Sequence, residues 1–160
     1  KATDIVIVNN MLRSPDGLRS YRRTVELTEV RKHWSSDPVK EGGFVNLLEY
    51  SAKDDMLKPT KTLLTGESEI INDISSRVRD WRGNWDAVWE NILLRQKILQ
   101  SLIDYSNTYR KPEMLEAPTI IESNSIFHIA SADVKEEVGT MDNKLIYERW
   151  RDWLEKKIKQ

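Results

Sequence analysis

The stretch from Asp80 to Ile103 constrains the fold most, because its bulky apolar side chains have to be covered by other parts of the chain. Three tryptophans, Trp81, Trp85 and Trp89, are followed by aliphatic residues at helical spacing. Burying one such side chain stabilises a fold by roughly 1.5–3 kcal/mol. We predict a helix from about residue 84 to residue 108, with Asn84 as its N-cap. Its predicted core stripe is Trp85, Val88, Trp89, Ile92, Leu99, Leu102 and Ile103.

The tryptophan cluster also admits a second interpretation, as a ligand cage or stacking platform. At helical spacing, however, aromatic side chains more often belong to a core. We therefore favour the core, and this interpretation requires Trp85 to be a buried residue.

The periodicity of apolar residues changes along the chain from that of strands to that of helices. Short strands are expected at about 4–8, 21–30 and 43–50, and the polar residues 51–64 are expected to form a connection. The run Asp4–Val8 is continuously apolar after its first residue, as in a strand buried on both faces. Helical spacing begins at Glu67, with Thr65 or Ser68 as a cap, and further helices are expected from Pro118 and over 142–159, with a polar break at 132–140.

The resulting fold class is α+β, with short N-terminal strands followed by a helical lobe of about four helices. Residues 1–64 would form the strand-rich segment and residues 65–160 the helical lobe, together as one compact unit. The chain starts at Lys1 without a methionine, so it is expected to be either a processed product or a fragment of a larger chain.

Composition excludes several classes of function. The net charge is −1, from 25 basic and 26 acidic residues, so no overall field attracts nucleic acid. There is no cysteine, which excludes disulfides, thiolate metal sites and cysteine nucleophiles. No apolar run approaches the roughly 18–20 residues that span a bilayer, so direct membrane insertion is not expected.

No catalytic or metal-binding motif is present. The glycines at 42–43 and 66 lack the lysine and following serine or threonine that a phosphate-binding loop requires. His33 and His128 are far apart, and neither has a second ligand at helical or hairpin spacing. Asp54 and Asp55 resemble a metal-binding pair, although adjacent acids in a polar loop are usually only solvated. We therefore expect no catalytic residue, cofactor or metal in this chain.

Arg22 and Arg23, at the entry of the second strand, are the candidate nucleotide- or interface-proximal residues. Arginine forms bidentate pairs with phosphate and stays charged, so such residues can reach a phosphate at a subunit boundary. The alternative is an ion pair with Glu26 or Glu29. A nucleic-acid site on the local basic cluster is the least favoured interpretation, because acidic residues interleave it. The cluster contains Arg19, Arg22, Arg23, Arg31 and Lys32.

The segment Arg22–Val30, following a short strand and a turn, resembles the arginine-bearing strand after the nucleotide-binding core of type II/IV secretion ATPases. These are the hexameric motors of type IV pili, type II secretion and the archaellum. The stretch from Gly42 through Asp86 is similar to the C-terminal extension expected of archaeal members. The chain departs from the family in lacking Walker A, the Walker B acid and the histidine-bearing segment.

The resemblance implies a cytoplasmic C-terminal domain of an oligomeric motor. Such a domain would contact other subunits or a membrane platform protein, would not hydrolyse ATP by itself, and would meet ATP–Mg only in a larger parent protein. The alternative is a free-standing α+β protein-interaction module, such as an adaptor or a viral protein, with no catalytic activity. In either case, exposure of Ile5–Val8 would predict dimerisation through this run.

Overall fold

The computed structural model describes residues 2–159, so Lys1 and Gln160 lie outside the described part of the chain. The chain divides into two compact units, with the boundary between Ala87 and Val88. The N-terminal unit contains the strands and two helices, and the C-terminal unit contains the long helices. The prediction of an α+β fold, with strands first and helices after them, is confirmed.

The strands form one antiparallel sheet in which sequence neighbours pair, in the order β1–β2–β3–β4. A turn that contains Pro15 and Gly17 joins the first two strands, and Gly17 has a φ of 71°. The fourth strand and a one-turn helix, α1, lie in the stretch predicted to be a connection. That prediction is wrong because β4 has no apolar alternation of its own and is defined by pairing with β3. The strands are β1 Ile5–Arg13, β2 Ser20–Val30, β3 Phe44–Ser51 and β4 Met56–Pro59.

β1 is an edge strand, which contradicts the prediction that both of its faces are buried. It pairs with β2 alone, so its other edge has no neighbour in the sheet. Ile5 is 40% exposed, Val6 37% and Ile7 56%. The continuous apolar pattern of a buried central strand therefore occurs here on a strand that is accessible to a partner.

Two helices follow the sheet in the N-terminal unit, α1 Lys61–Leu64 and α2 Glu69–Ser76. Ser68, one of the two predicted caps, is the N-cap of α2, and its side chain accepts a hydrogen bond from the Ile71 amide. This helix has eight residues and ends at Ser76.

The carboxylate of Glu29 on β2 also binds the start of α2. It accepts hydrogen bonds from the amides of Glu69 (3.1 Å) and Ile70 (3.3 Å) and from the Ser68 hydroxyl. The Arg31 Nε lies 3.3 Å from the same carboxylate, and Glu29 is fully buried. The buried Glu29 carboxylate thus links β2 to the N-terminus of α2, which is the positive end of the helix dipole.

Helix α3 spans Trp85–Tyr109, close to the predicted range, and Asn84 accepts a hydrogen bond from the Ala87 amide (3.2 Å). Its predicted core stripe is confirmed at Val88 and Leu102, which are buried, and is wrong at Leu99 and Ile103, which are 50% and 41% exposed. The buried face includes small polar residues, which a pattern of apolar residues cannot identify as buried. That face consists of Val88, Asn91, Leu94, Ile98, Ser101, Leu102 and Ser106.

Trp85 is only half-buried, so it falls short of the buried core residue that its spacing predicts. Within the N-terminal unit its ring lies against Gly66, where an added Cβ would come within 2.6 Å of the Trp85 Cγ. Its Nε1–H donates to the Leu64 carbonyl at 3.2 Å. Trp85 therefore covers the turn between α1 and α2 rather than the core of the helical unit.

The C-terminal unit is built from α3, a 3₁₀ helix Pro112–Leu115, α4 Ala117–Val138 and α5 Asn143–Ile158. The predicted break at 132–140 is wrong, since α4 continues to Val138 with Val134 fully buried and stops at Gly139. None of the helices within residues 2–159 is long and apolar enough to cross a membrane. The core comprises Leu94, Ile98, Leu102, Met114, Phe127, Ala130, Val134, Ile146, Trp150 and Leu154.

Candidate functional site

Arg23 is held on the sheet by a dense set of contacts. Its Nε and Nη2 donate to the two carboxylate oxygens of Asp55 at 2.8 Å and 2.6 Å. Its Nη1 donates to the Arg22 carbonyl at 3.0 Å, and the guanidinium lies 4.6 Å from the centre of the Tyr21 ring. The partner of Arg23 is thus Asp55, and the alternative of a pair with Glu26 or Glu29 is wrong for this residue.

Asp55 sits in the turn between β3 and β4 with a φ of 49°, a conformation that aspartate tolerates better than most residues. It also accepts a hydrogen bond from the Tyr50 hydroxyl at 2.8 Å. The hydrogen bonds from Arg23, and secondly from Tyr50, lower the pKa of the Asp55 carboxyl to about 2. The hydrogen bond between Tyr50 and Asp55, together with desolvation, raises the pKa of the Tyr50 hydroxyl to about 12.

We expect the Asp55 carboxyl to titrate at about 2 in a carbon-detected NMR titration of the folded protein. Because its pKa is lowered on folding, the pair stabilises the fold above the ordinary value of 3.8 and loses its effect as pH falls towards 2. Arg23→Gln should move the titration back towards the ordinary value. An unchanged midpoint in Arg23→Gln would contradict the assigned cause, and Arg22→Gln is the matched control that should leave it unchanged.

Arg22 differs from its neighbour, because adjacent strand residues point to opposite faces. It is exposed and stands opposite Met11 of β1, which is 64% exposed. Within residues 2–159 no ion pair involves Arg22. It lines an open cleft of about 560 Å³ together with Asn9, Asn10, Met11, Arg23 and Thr24. Of the two predicted arginines, Arg22 is the one free to meet a partner.

β1 contributes three residues to this cleft, and the hydrogen-bond pattern of the sheet shows which backbone groups of β1 point away from β2. The Val30 amide donates to the Asp4 carbonyl at 2.9 Å, so these two residues form a hydrogen-bonded pair. Because hydrogen-bonded and non-hydrogen-bonded pairs alternate in an antiparallel ladder, Val6 also bonds to β2. The N–H and C=O groups of Ile5 and Ile7 therefore point away from β2, outward from the unpaired edge of the sheet.

The devices that usually protect an edge strand are largely missing from β1. From Ile5 to Leu12 there is neither a charged residue nor a proline. A shift in register between Val8 and Asn9 interrupts the ladder and leaves Ile5–Val8 as a regular stretch. This stretch presents both exposed apolar side chains and outward backbone groups.

The other residues that attracted attention in the sequence take structural roles. Within the described residues no group of histidines and acids is arranged to hold a metal ion. Asp54 pairs with Lys58, and a ring nitrogen of His33 lies 3.0 Å from the Glu41 carbonyl.

The basic cluster is likewise divided among acidic partners. Arg31 pairs with Glu29 and Glu69, and Lys32 pairs with Asp4 at 2.9 Å. With Arg23 bound to Asp55, three of the five basic residues have a neighbouring carboxylate. No continuous run of unpaired cations results, so this cluster does not favour a nucleic-acid site.

The chain matches no known protein-family model, no curated protein and no solved structure. The resemblance to secretion motors accordingly remains a prediction carried by the Arg22–Val30 segment. Among the described residues, the exposed edge of β1 is the feature best suited to bind a partner.

Proposed function

We propose that this chain is a protein-interaction module that binds a second copy of itself through the free edge of β1. The observation that supports this proposal is the exposure of Ile5, Val6 and Ile7 on an unprotected edge strand. Pairing of two such edges would satisfy the outward backbone groups and cover apolar side chains at the same time.

The strand is suited to pairing with itself. In an antiparallel arrangement centred on Val6, Ile5 of one protomer lies opposite Ile7 of the partner subunit, and Ile7 lies opposite the partner's Ile5. These are the residues whose N–H and C=O groups point outward, so each pair exchanges both backbone hydrogen bonds. The two sheets would join into one continuous sheet with twofold symmetry.

A second candidate is the C-terminal domain of a secretion or pilus-assembly motor. The specific observation in its favour is Arg22, an exposed arginine that forms no ion pair with any residue from 2 to 159. In that setting the chain would supply contacts to neighbouring subunits or a membrane platform protein, and ATP–Mg would bind elsewhere in the parent protein. A native polypeptide that runs well above 18.8 kDa on a denaturing gel would favour this candidate.

Ile7→Pro should convert a dimer into a monomer while leaving the fold intact. Proline removes an N–H that points away from β2, so no bond within the sheet is lost, and proline is tolerated at such edge positions. Sedimentation velocity over a series of protein concentrations measures the change, and the far-UV circular dichroism should match that of the original chain.

Ile7→Val is the matched control for this variant, because it retains the N–H and a β-branched side chain. We expect it to remain dimeric. A dimer that persists unchanged in a folded Ile7→Pro variant would overturn the assignment of the interface to the β1 edge.

A further inference from the structure

The C-terminal unit contains a groove between α3 and α4 that the proposed interface does not use. Its volume is about 240 Å³, and it is walled by apolar side chains. Three polar residues, Arg95, Ser123 and Asn124, also line it. The apolar walls are formed by Ile98, Leu99, Ile120 and Phe127.

Arg95 is half-buried and lies among neutral and apolar side chains. Its Nε lies 3.2 Å from Asn91 Oδ1 and its Nη1 lies 3.4 Å from Asn124 Oδ1, so both neighbours are neutral amides. The guanidinium carbon lies 4.3 Å from the centre of the Phe127 ring. Among residues 2–159 no carboxylate forms an ion pair with Arg95.

Two consequences follow from this environment. Burial lowers the pKa of the Arg95 guanidinium, which is the sign of a cation placed in apolar surroundings without compensation. In addition, its contacts are with Nε and Nη1, so N–H groups of Nη1 and Nη2 remain free to form the fork that fits a carboxylate.

We propose that this groove binds a small aliphatic carboxylate. The carboxylate would pair with the Arg95 fork, and the hydrocarbon chain would lie against Leu99, Ile120 and Phe127. An apolar cavity with a few converging polar groups is the usual form of a small-molecule site, and the modest volume limits the ligand to a short or medium chain. This site is independent of the β1 edge.

The chemistry of the groove favours a carboxylate over other anions. A phosphate monoester would bring nearly two negative charges into an apolar cavity that offers one cation, and burying an uncompensated charge is unfavourable. An alkylammonium would place a second cation beside Arg95. A neutral alcohol would fill the walls but would leave the guanidinium unpaired.

An NMR titration of the 160-residue chain with octanoate tests the proposal directly. Octanoate should shift the amide signals of Leu99, Ile120 and Asn124 in a saturable manner, whereas octanol should bind at least about tenfold more weakly and octylammonium more weakly still. Equal affinity for octanoate and octanol would overturn the proposal, because the carboxylate would then contribute nothing. Shifts spread over the whole surface, without saturation, would overturn it as well.

Two arginine variants test whether the positive charge of Arg95 is required for octanoate binding. Arg95→Gln should weaken octanoate binding by about tenfold or more. Arg149→Gln is the matched control, because Arg149 pairs with Glu137 and does not line the groove, and it should leave the affinity unchanged. If Arg95→Gln does not fold, the comparison of octanoate with octanol on the unmodified chain still decides the question.

Discussion

Replacing Trp150 with alanine should destabilise the C-terminal unit by about 3–5 kcal/mol, the range found for removing a fully buried tryptophan. Trp150 has no exposed surface, and its Nε1–H donates to the buried Ser123 hydroxyl at 3.0 Å. It lies on α5 and packs against the ring of Tyr147, with ring centres 5.9 Å apart. The substitution would therefore open a cavity and also remove the partner of a buried hydroxyl.

Urea unfolding followed by circular dichroism measures this loss, because most of the helix in the chain belongs to this unit. Trp153→Ala is the matched control: Trp153 lies on the same helix, is only partly buried and donates to the exposed Glu122 at 3.1 Å. Its loss should be clearly smaller. Equal effects of the two substitutions would show that Trp150 is not the centre of this core.

Glu29→Gln should destabilise the N-terminal unit by about 2–4 kcal/mol, since hydrogen bonds to a charged group are worth about 1.5–3 kcal/mol each and are not additive. The buried carboxylate accepts from Ser68 and from two amides at the start of α2. An amide of the same size has one acceptor oxygen, and its NH₂ group would face these donors.

Thermal unfolding monitored by the amide signals of residues 69–76 reports on α2 directly. Glu26→Gln is the matched control, because Glu26 lies on the same strand, is half-buried and accepts a bond from Thr28. We expect that control to lose less than about 1 kcal/mol. A Glu29→Gln variant as stable as the control would contradict the role of Glu29 in fastening α2.

Local signals in the sequence were sufficient for the fold class and for several helix ends. The sequence predicts Asn84 as one cap and Thr65 or Ser68 as another, because these residues precede apolar residues at helical spacing. Asn84 and Ser68 both accept the expected backbone bonds. The buried face of α3 could not be predicted in the same way. Asn91, Ser101 and Ser106 face the core of the helical unit while Leu99 lies outside it, and only tertiary packing decides that choice.

The candidate site was predicted in part. Arg22 and Arg23 were identified from their place at the start of a strand, but the partner of Arg23 lies 32 residues further along the chain. Asp55 was considered only as half of a possible metal pair. The β1 run was recognised as needing neighbours, yet composition does not distinguish a central strand from an unprotected edge.

Amide hydrogen exchange of β1 as a function of protein concentration tests the proposed self-association most directly. The amides of Ile5 and Ile7 point away from β2, so they should exchange fast in dilute protein and become protected as the concentration rises. Val6 bonds to β2 and should be protected throughout. Fast exchange at Ile5 and Ile7 at every concentration, with Val6 protected, would contradict pairing of two chains through the β1 edge.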